Sequence, residues 1–402
     1  MINPHLDQLG TYMFWRLQQL LENEPAPAGL EPLALHVGEP QLAPPRFVTD
    51  TISAHDRLWG KYPPHPGTRE FRAAVAGWLT RRYDLPAGMI DGERHVLPCA
   101  GTKEGLFHMG LLTVPSAEFR RDGTVPAVLM PNPVYQVYTG AAVFAGAEPV
   151  AVSATAETDF LPDYASLDPA LLERTALLFL CNPVNPQGAV ADADYIAALI
   201  RLAREYRFVA VFDECYSEIY RGAPPVGALD VCARMGGSLD NVLVMHSLSK
   251  RSNSPGLRCG FVAGDPALID GYRTIRSYAG VAVPMPVLKA AEALYADEAH
   301  VNATRAHYAE LFRMAERILG GTPGFAAPPG GFFLWLDAGD GEAATIRLWR
   351  EAGVRVMPGA YMALPDYRTG ENPGDRYVRV AMVHDAALAE DALTRIARVL
   401  NG

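Results

Sequence analysis

The chain has 402 residues, 49% of them hydrophobic, which suffices for a large core and, at roughly 150 residues per domain, suggests two domains or three. A net charge of −10 with no basic run argues against nucleic acid or anionic membrane as a partner, and no apolar stretch approaches the roughly 18 residues of a membrane span. The ten histidines show no HExxH or HxxxH spacing, so no metal site is expected; the five cysteines lack a CxxC pair and read as free thiols in a reducing cytoplasm.

In chain order, residues 1–45 read as an N-terminal segment that joins the smaller domain. It opens with MINPHLDQLG, which has no signal-peptide pattern, and continues through a helical stretch and the Pro/Gly-rich connector NEPAPAGLEP to HVGEPQ. Residues 46–285 read as a large α/β domain, because short apolar runs alternate with helix-length segments such as 192–206. The runs fall at 95–100, 126–131, 148–153, 175–183, 207–214, 241–247 and 256–264. Apolar on both faces and bounded by Pro, Gly, Asn or Asp, they predict a mostly parallel sheet sandwiched by helices. Residues 286–402 change pattern: long helices over 286–319, then GGFFLWLD, a helix near 342–352, VRVMP, RYVRVAMV and a final helix over 386–400. That reads as a smaller α+β domain.

Lysine is scarce, occurring only at 61, 103, 250 and 289, so each one is a candidate for chemistry that arginine cannot perform. Lys61 lies in a loop and Lys289 on a helix face. Lys250 directly follows the apolar run 241–247, among Ser247, Ser249 and Arg251. Ligands of open α/β sheets bind outside the carboxyl ends of the strands. There the sequence places Gly101, Thr102 and Lys103 opening a helix, Asn185 in NPVNPQG, Asp213 ending VAVFD, and Lys250. Taken alone, Asp213 is also a candidate helix N-cap, Tyr135 and Tyr216 are candidate core aromatics, and Arg379 a candidate surface residue of an edge strand. Together the set supplies an amine, a carboxylate, a phenol-oxygen partner and a phosphate cradle at a helix N-terminus. Pyridoxal 5′-phosphate needs those four: a lysine for its aldehyde, a carboxylate for its pyridine nitrogen, a partner for its phenolic oxygen and donors for its phosphate. No GxGxxG follows a candidate strand, which disfavours a nicotinamide enzyme.

The string SLSKRSNSPGLRCGF resembles the lysine motif of fold type I aminotransferases of class I/II, with a serine three residues before the lysine and an arginine eight after it. YPPHPGTREFR, PNPVYQVY, NPVNPQG and DECY match further motifs of that family in order, and coverage runs from about 36 to 383. The resemblance implies an aspartate-aminotransferase-like fold. It implies that Lys250 carries the cofactor and acts as the base, and that Ser247, Ser249 and Arg258, with Gly101, Thr102 and Lys103, bind phosphate. It further implies that Tyr135 stacks on the ring, that Asn185 and Tyr216 bond the phenolic oxygen, and that Asp213 pairs with the ring nitrogen. Tyr62 is implied to reach the phosphate of a neighbouring subunit, making a homodimer the working unit. Arg379, from RYVRVAM, is nominated for the substrate α-carboxylate, assisted by Gly38 and Asn185.

Two departures from the family pattern are Gln187, where threonine is usual, and Arg251-Ser252-Asn253, where many members have Thr-Tyr-Gly. The form SLSKRSN-PGLR, and the opening NPHLDQLGTYMFWRLQQLL, are similar to one subgroup, the succinyldiaminopimelate aminotransferases. The implied reaction moves an amino group from N-succinyl-L,L-diaminopimelate to 2-oxoglutarate in lysine biosynthesis. The alternatives are a class I/II aminotransferase with another substrate, or a C–S lyase on the same scaffold. Contacts to the far end of the substrate are expected from the N-terminal segment, from 251–254 or from a partner subunit.

Overall fold

A computed structural model describes residues 2–120 and 123–402. In chain order its strands are β1 (Leu33–Ala34), β2 (Val96–Cys99), β3 (Ala127–Asn132), β4 (Glu148–Ser153), β5 (Thr175–Cys181) and β6 (Val209–Asp213). They continue as β7 (Val242–Ser247), β8 (Gly260–Gly264), β9 (Phe333–Asp337), β10 (Val354–Arg355), β11 (Met357–Pro358) and β12 (Tyr377–Ala381).

Seven strands form one sheet in the order β2-β8-β7-β6-β5-β3-β4. Neighbours from β4 across to β7 pair in parallel, as the doubly apolar runs predict. The exception is β8, which runs antiparallel to both β2 and β7. β5 shows why these runs are strands buried on both faces. Leu178 and Leu180 point into one apolar cluster, while Leu177 and Phe179 point into the other. Helices cover both faces. Asp192 caps the helix Ala193–Tyr206 by accepting from the Tyr195 amide at 2.8 Å, and Ile196, Leu199, Ile200 and Ala203 form its buried stripe. Each such aliphatic side chain stabilises the fold by roughly 1.5–3 kcal/mol on burial.

The order of the strands places the site. β5 lies between β3 and β6, and the chain reverses its direction of travel across the sheet there, which opens a crevice at the carboxyl ends. The helix Thr102–Thr113 starts at that end, just after β2. It approaches the helix Gln136–Phe144 so closely that a Cβ on Gly110 would overlap the Ala141 carbonyl. That contact pins the helix, and with it the loop at Gly101.

A second core surrounds the antiparallel sheet β11-β12-β9 and the helices Ala299–Leu319, Gly341–Ala352 and Ala386–Asn401. The N-terminal segment adheres to this part: β1 pairs with β10, and Leu17 and Leu21 pack with Trp349, Met357 and Met362. The expected change of body at residue 285 needs correction. The helix Met285–Ala296 buries Leu288, Ala291, Leu294 and Tyr295 in the same cluster as Phe71, Trp78 and Phe261. Its apolar face fits the helices Arg46–Ala54 and Arg69–Tyr83, so the change in packing comes after it. Among the described residues, no helix is long and apolar enough to cross a membrane.

Candidate active site

A cavity of about 260 Å³ opens at the carboxyl ends of the parallel strands, between the two cores. Gly38, Thr102, Lys103, Tyr135, Asn185, Asp213, Tyr216, Lys250 and Arg379 all line it, so nine of the residues nominated from sequence meet in one place.

Lys250 sits on the single helical turn Leu248–Arg251 that follows β7. Its Nζ donates to the Gly38 carbonyl and lies 5.0 Å from the centre of the Phe332 ring. Burial pulls its ammonium down to about 8; Arg379 and Arg258 add to that, while Cys215 and Glu39 oppose it. About a tenth is therefore free amine at pH 7, far more than an ordinary lysine offers.

Asp213, at the end of β6, is buried, and desolvation raises its carboxyl above the ordinary range. Donors hold that rise in check: the Tyr138 hydroxyl at 3.0 Å on Oδ2 and the Cys215 amide at 3.3 Å on Oδ1. No helix starts there, which removes the capping role. Tyr138 is the residue that sequence reasoning missed. PNPVYQVY carries two tyrosines three residues apart, and only Tyr135 had been nominated. Tyr138 is held flat against Phe179, with centroids 4.5 Å apart and planes inclined by 15°, which aims its hydroxyl at the carboxylate. Tyr138→Phe is expected to leave a buried carboxylate oxygen without its side-chain donor. Asp213 should then titrate higher, and stability at pH 7 should fall by about 1–3 kcal/mol in chemical denaturation.

Arg379, on β12, is only 3% exposed and has no carboxylate partner among the described residues. Its Nη2 donates to the His36 carbonyl at 2.8 Å and Nη1 to Asn185 Oδ1 at 3.4 Å, while the guanidinium lies 4.4 Å from the Phe333 ring centre. Burial draws it down to about 10. Burial, together with Arg355 and Arg379, also lowers the neighbouring His36 to about 4, so that imidazole stays neutral and adds no second charge. Tyr216 is buried edge-on against Phe332, at 5.3 Å between centroids, and desolvation keeps its phenol protonated. Gly38 is required where it stands, because a Cβ there would come within 2.5 Å of the Phe333 ring.

Beside Lys250 lies a second group of nominees, of which only Thr102 also lines the cavity. Ser247 Oγ donates to Ser249 Oγ at 2.9 Å and accepts from the Ser249 amide at 3.1 Å. Arg258 reaches across to the Ala100 carbonyl at 3.1 Å, and Gly101, at φ +79°, leaves it room, since any Cβ would collide with the guanidinium. Thr102 Oγ1 lies 3.0 Å from Cys215 Sγ at the helix start. Tyr62 is fully exposed and is not part of this chain's own cavity.

The run Arg251-Ser252-Asn253 turns away from the cavity, which disfavours one of the three sources offered for contacts to the far end of the substrate. Arg251 is buried against the helix Met285–Ala296 and beyond it, donating to the Leu294 carbonyl at 2.7 Å and to Glu298 at 2.6 Å. Ser252 bonds His300 at 2.8 Å, and Asn253 donates to Thr304 at 2.9 Å. These residues tie the lysine turn to the helices behind it. The outer wall of the cavity comes instead from Tyr12, Met13 and Phe14. Gln187, the other departure, is buried and donates to the Ala154 carbonyl at 3.2 Å.

This donor set fits a phosphorylated pyridine aldehyde: an amine poised to be neutral, a buried carboxylate, phenol and amide groups beside it, and a helix start flanked by hydroxyls and an arginine.

Comparison with known proteins gives a consistent picture. The profile of the family described as "Aminotransferase class I and II" matches residues 31–396. The chain is 36% identical to 4-dedimethylamino-4-oxo-anhydrotetracycline transaminase OxyQ of Streptomyces rimosus, over 88% of this chain and 89% of that one. It is 28% identical to the LL-diaminopimelate aminotransferase of Maridesulfovibrio salexigens over 98% of each. Among solved structures, an aminotransferase from Neisseria meningitidis superposes with a TM-score of 0.93 at 38% identity, covering 99% of this chain and 100% of that one.

Proposed function

The chain belongs to the aminotransferase class I and II family, whose members are pyridoxal-phosphate-dependent, and from that premise we propose that this aminotransferase uses Lys250 as its base and N-succinyl-L,L-diaminopimelate as its amino donor, with 2-oxoglutarate as acceptor. The observation that carries the residue assignment is the meeting of Lys250, Asp213 and Arg379 on one cavity. The donor assignment draws support from the resemblance of the SLSKRSN-PGLR segment and from relatives named as LL-diaminopimelate aminotransferases.

When bound, the cofactor supplies an aldehyde for the amino group and a protonated ring that draws electrons from the substrate α-carbon. Asp213 would accept from the ring nitrogen, and its carboxylate already receives the Tyr138 hydroxyl and the Cys215 amide. Asn185 and Tyr216 would bond the phenolic oxygen, and Tyr135 would stack on the ring. Thr102, the first amides of its helix, Gly101, Ser247, Ser249 and Arg258 would hold the phosphate. Arg379, with Gly38 and Asn185 beside it, fixes the substrate carboxylate and so sets which α-substituent faces Lys250. Lys250, as a neutral amine, would take the proton from the substrate α-carbon. Tyr62, fully exposed and outside its own chain's cavity lining, would reach the phosphate site of a second copy, which would make a homodimer the working unit. The five free thiols suit the cytoplasm.

Steady-state rates with N-succinyl-L,L-diaminopimelate, unsuccinylated diaminopimelate, glutamate, aspartate, alanine and aromatic amino acids test the donor. The succinylated donor should exceed the others in kcat/KM by tenfold or more; another donor in first place overturns the assignment. Release of pyruvate and ammonia without a keto-acid acceptor would favour a C–S lyase instead.

A further inference from the structure

Glu214 and His246 are both buried, at 2% and 3% exposed, and the proposed reaction employs neither. Neither lines the cavity; they meet behind it, against Trp78 and Phe261 of the large core. His246 Nε2 lies 2.9 Å from Glu214 Oε2 with its N–H off the line to that oxygen, which makes a close polar contact and not a straight hydrogen bond. The imidazole is stacked on Phe261 and meets Trp78 edge-on, each at 5.1 Å between centroids. Ser217 Oγ stands 3.4 Å from its other nitrogen. Glu214 is held from two further elements: the Tyr83 hydroxyl donates to Oε2 at 2.8 Å and the Ala228 amide to Oε1 at 2.8 Å.

A carboxylate and an imidazole buried among aromatic rings cost free energy that well-packed apolar side chains would not. Their place in the chain shows what they are fit for. Asp213 and Met245 are the last registered pair between β6 and β7, and one more bond follows, from the Glu214 amide to the Met245 carbonyl at 2.9 Å. Beyond it the two strands part, β6 into a loop and β7 into the turn Leu248–Arg251. Glu214 directly follows Asp213, and His246 precedes Lys250 by four residues. Their contact therefore closes the two strand ends at the last point before each presents its group to the cavity. Burial raises the Asp213 carboxyl, and His246 is among the groups that oppose that rise.

From this juxtaposition we infer that Glu214 and His246 are a positioning pair, whose contact locks β6 against β7 and so sets the Asp213 carboxylate relative to the Lys250 amine. The inference rests on the aminotransferase reading of the site. Asp213 anchors one end of the bound cofactor and Lys250 acts at the other, so slack between the strand ends misaligns the amine with the proton it removes. Glu214 and His246 touch no substrate; they act through the strands that carry them.

The test uses purified holoenzyme and L-glutamate bearing hydrogen or deuterium on its α-carbon, with single-turnover rates followed through the cofactor absorbance. Such rates do not depend on what fraction of the enzyme is folded. Glu214→Gln keeps the size of the side chain and removes its charge; His246→Leu removes the contact. Each should slow the step about tenfold or more, raise the deuterium isotope effect and leave the half-saturating glutamate concentration within about twofold. The double variant should be no slower than the worse single one, because both changes break the same contact. His246→Gln, which returns a polar group to the position of Nε2, should recover most of the rate. Tyr83→Phe loosens Glu214 on the side away from Lys250, so it should lower stability while rate and isotope effect stay within about twofold. The near-isosteric Glu214→Gln keeps the test decisive should His246→Leu fail to fold. Wild-type rates and isotope effects in Glu214→Gln overturn the inference, as do losses that multiply in the double variant. A loss in Tyr83→Phe equal to that in Glu214→Gln overturns it too, reducing the pair to packing. Each of those results leaves the aminotransferase reading standing, whereas a wild type without cofactor absorbance would remove that reading and the inference with it.

Discussion

Lys250→Ala is expected to lower transamination by about four orders of magnitude and to abolish the visible absorbance of cofactor attached through that lysine. A persisting band at the wild-type position would sink the assignment. The same change should make the protein more stable at neutral pH. The ammonium titrates at about 8 in the fold, against an ordinary value of 10.5, because burial disfavours its charge. Below about pH 8 both folded and unfolded chains carry the proton, and the fold bears the full cost of burying it. Between about 8 and 10.5 the folded state has lost the proton and the unfolded state retains it, so stability rises with pH across that window. The alanine variant lacks this dependence. Its advantage in midpoint of denaturation should therefore be largest at pH 7 and shrink toward pH 10. For the active enzyme, attachment of added cofactor to the apoprotein should quicken as pH rises from 7 to 9, because the neutral amine is the nucleophile.

Much of this was legible in the sequence, for identifiable reasons. A strand such as β5 declares itself because both of its faces are buried and its seven residues are almost all apolar. The carboxyl ends of such strands are where polar residues have little structural reason to gather, so Asp213, Asn185 and Lys250 stood out. The orientation of β8 was not legible, since it depends on pairing with β2 and β7 and on no property of its own residues. Arg251 misled because adjacency in sequence is not adjacency on a helix. Consecutive residues of a helical turn point about 100° apart, so the residue after Lys250 can face the opposite core, as it does. Tyr138 stayed hidden because a buried tyrosine in an apolar helix looks like packing until its hydroxyl is seen on Asp213. The helix Met285–Ala296 follows the pattern change read at 285, yet it packs with Phe71, Trp78 and Phe261, which only tertiary contact reveals.

Arg379 presents the sharpest physical argument for a substrate site. Burying a cation without an opposite charge costs several kcal/mol, and proteins seldom accept that for stability alone. Here the guanidinium is 3% exposed, its polar partners are a carbonyl and an amide oxygen, and its Nε bonds nothing among the described residues. The depression to about 10 registers that cost. A bound carboxylate would offset it by adding charge-assisted bonds while the neutral contacts to His36 and Asn185 hold the fork in plane. Arg379→Lys keeps the charge but replaces the planar fork with a single point donor, and the shorter ammonium cannot hold both the His36 carbonyl and a carboxylate. The expected result is a fall in kcat/KM of about 10²–10³-fold for the amino donor and for the keto acid alike. KM should rise for both, because both present the same carboxylate, and kcat should fall as the α-carbon loses its alignment with Lys250. Arg379→Ala should cost more activity yet leave the fold intact, since it removes the buried charge rather than stranding one. The decisive comparison is a donor amine lacking the α-carboxylate, whose slow turnover should be nearly indifferent to either substitution. Equal losses for donors with and without that carboxylate would show that Arg379 shapes the cavity and does not bind the substrate.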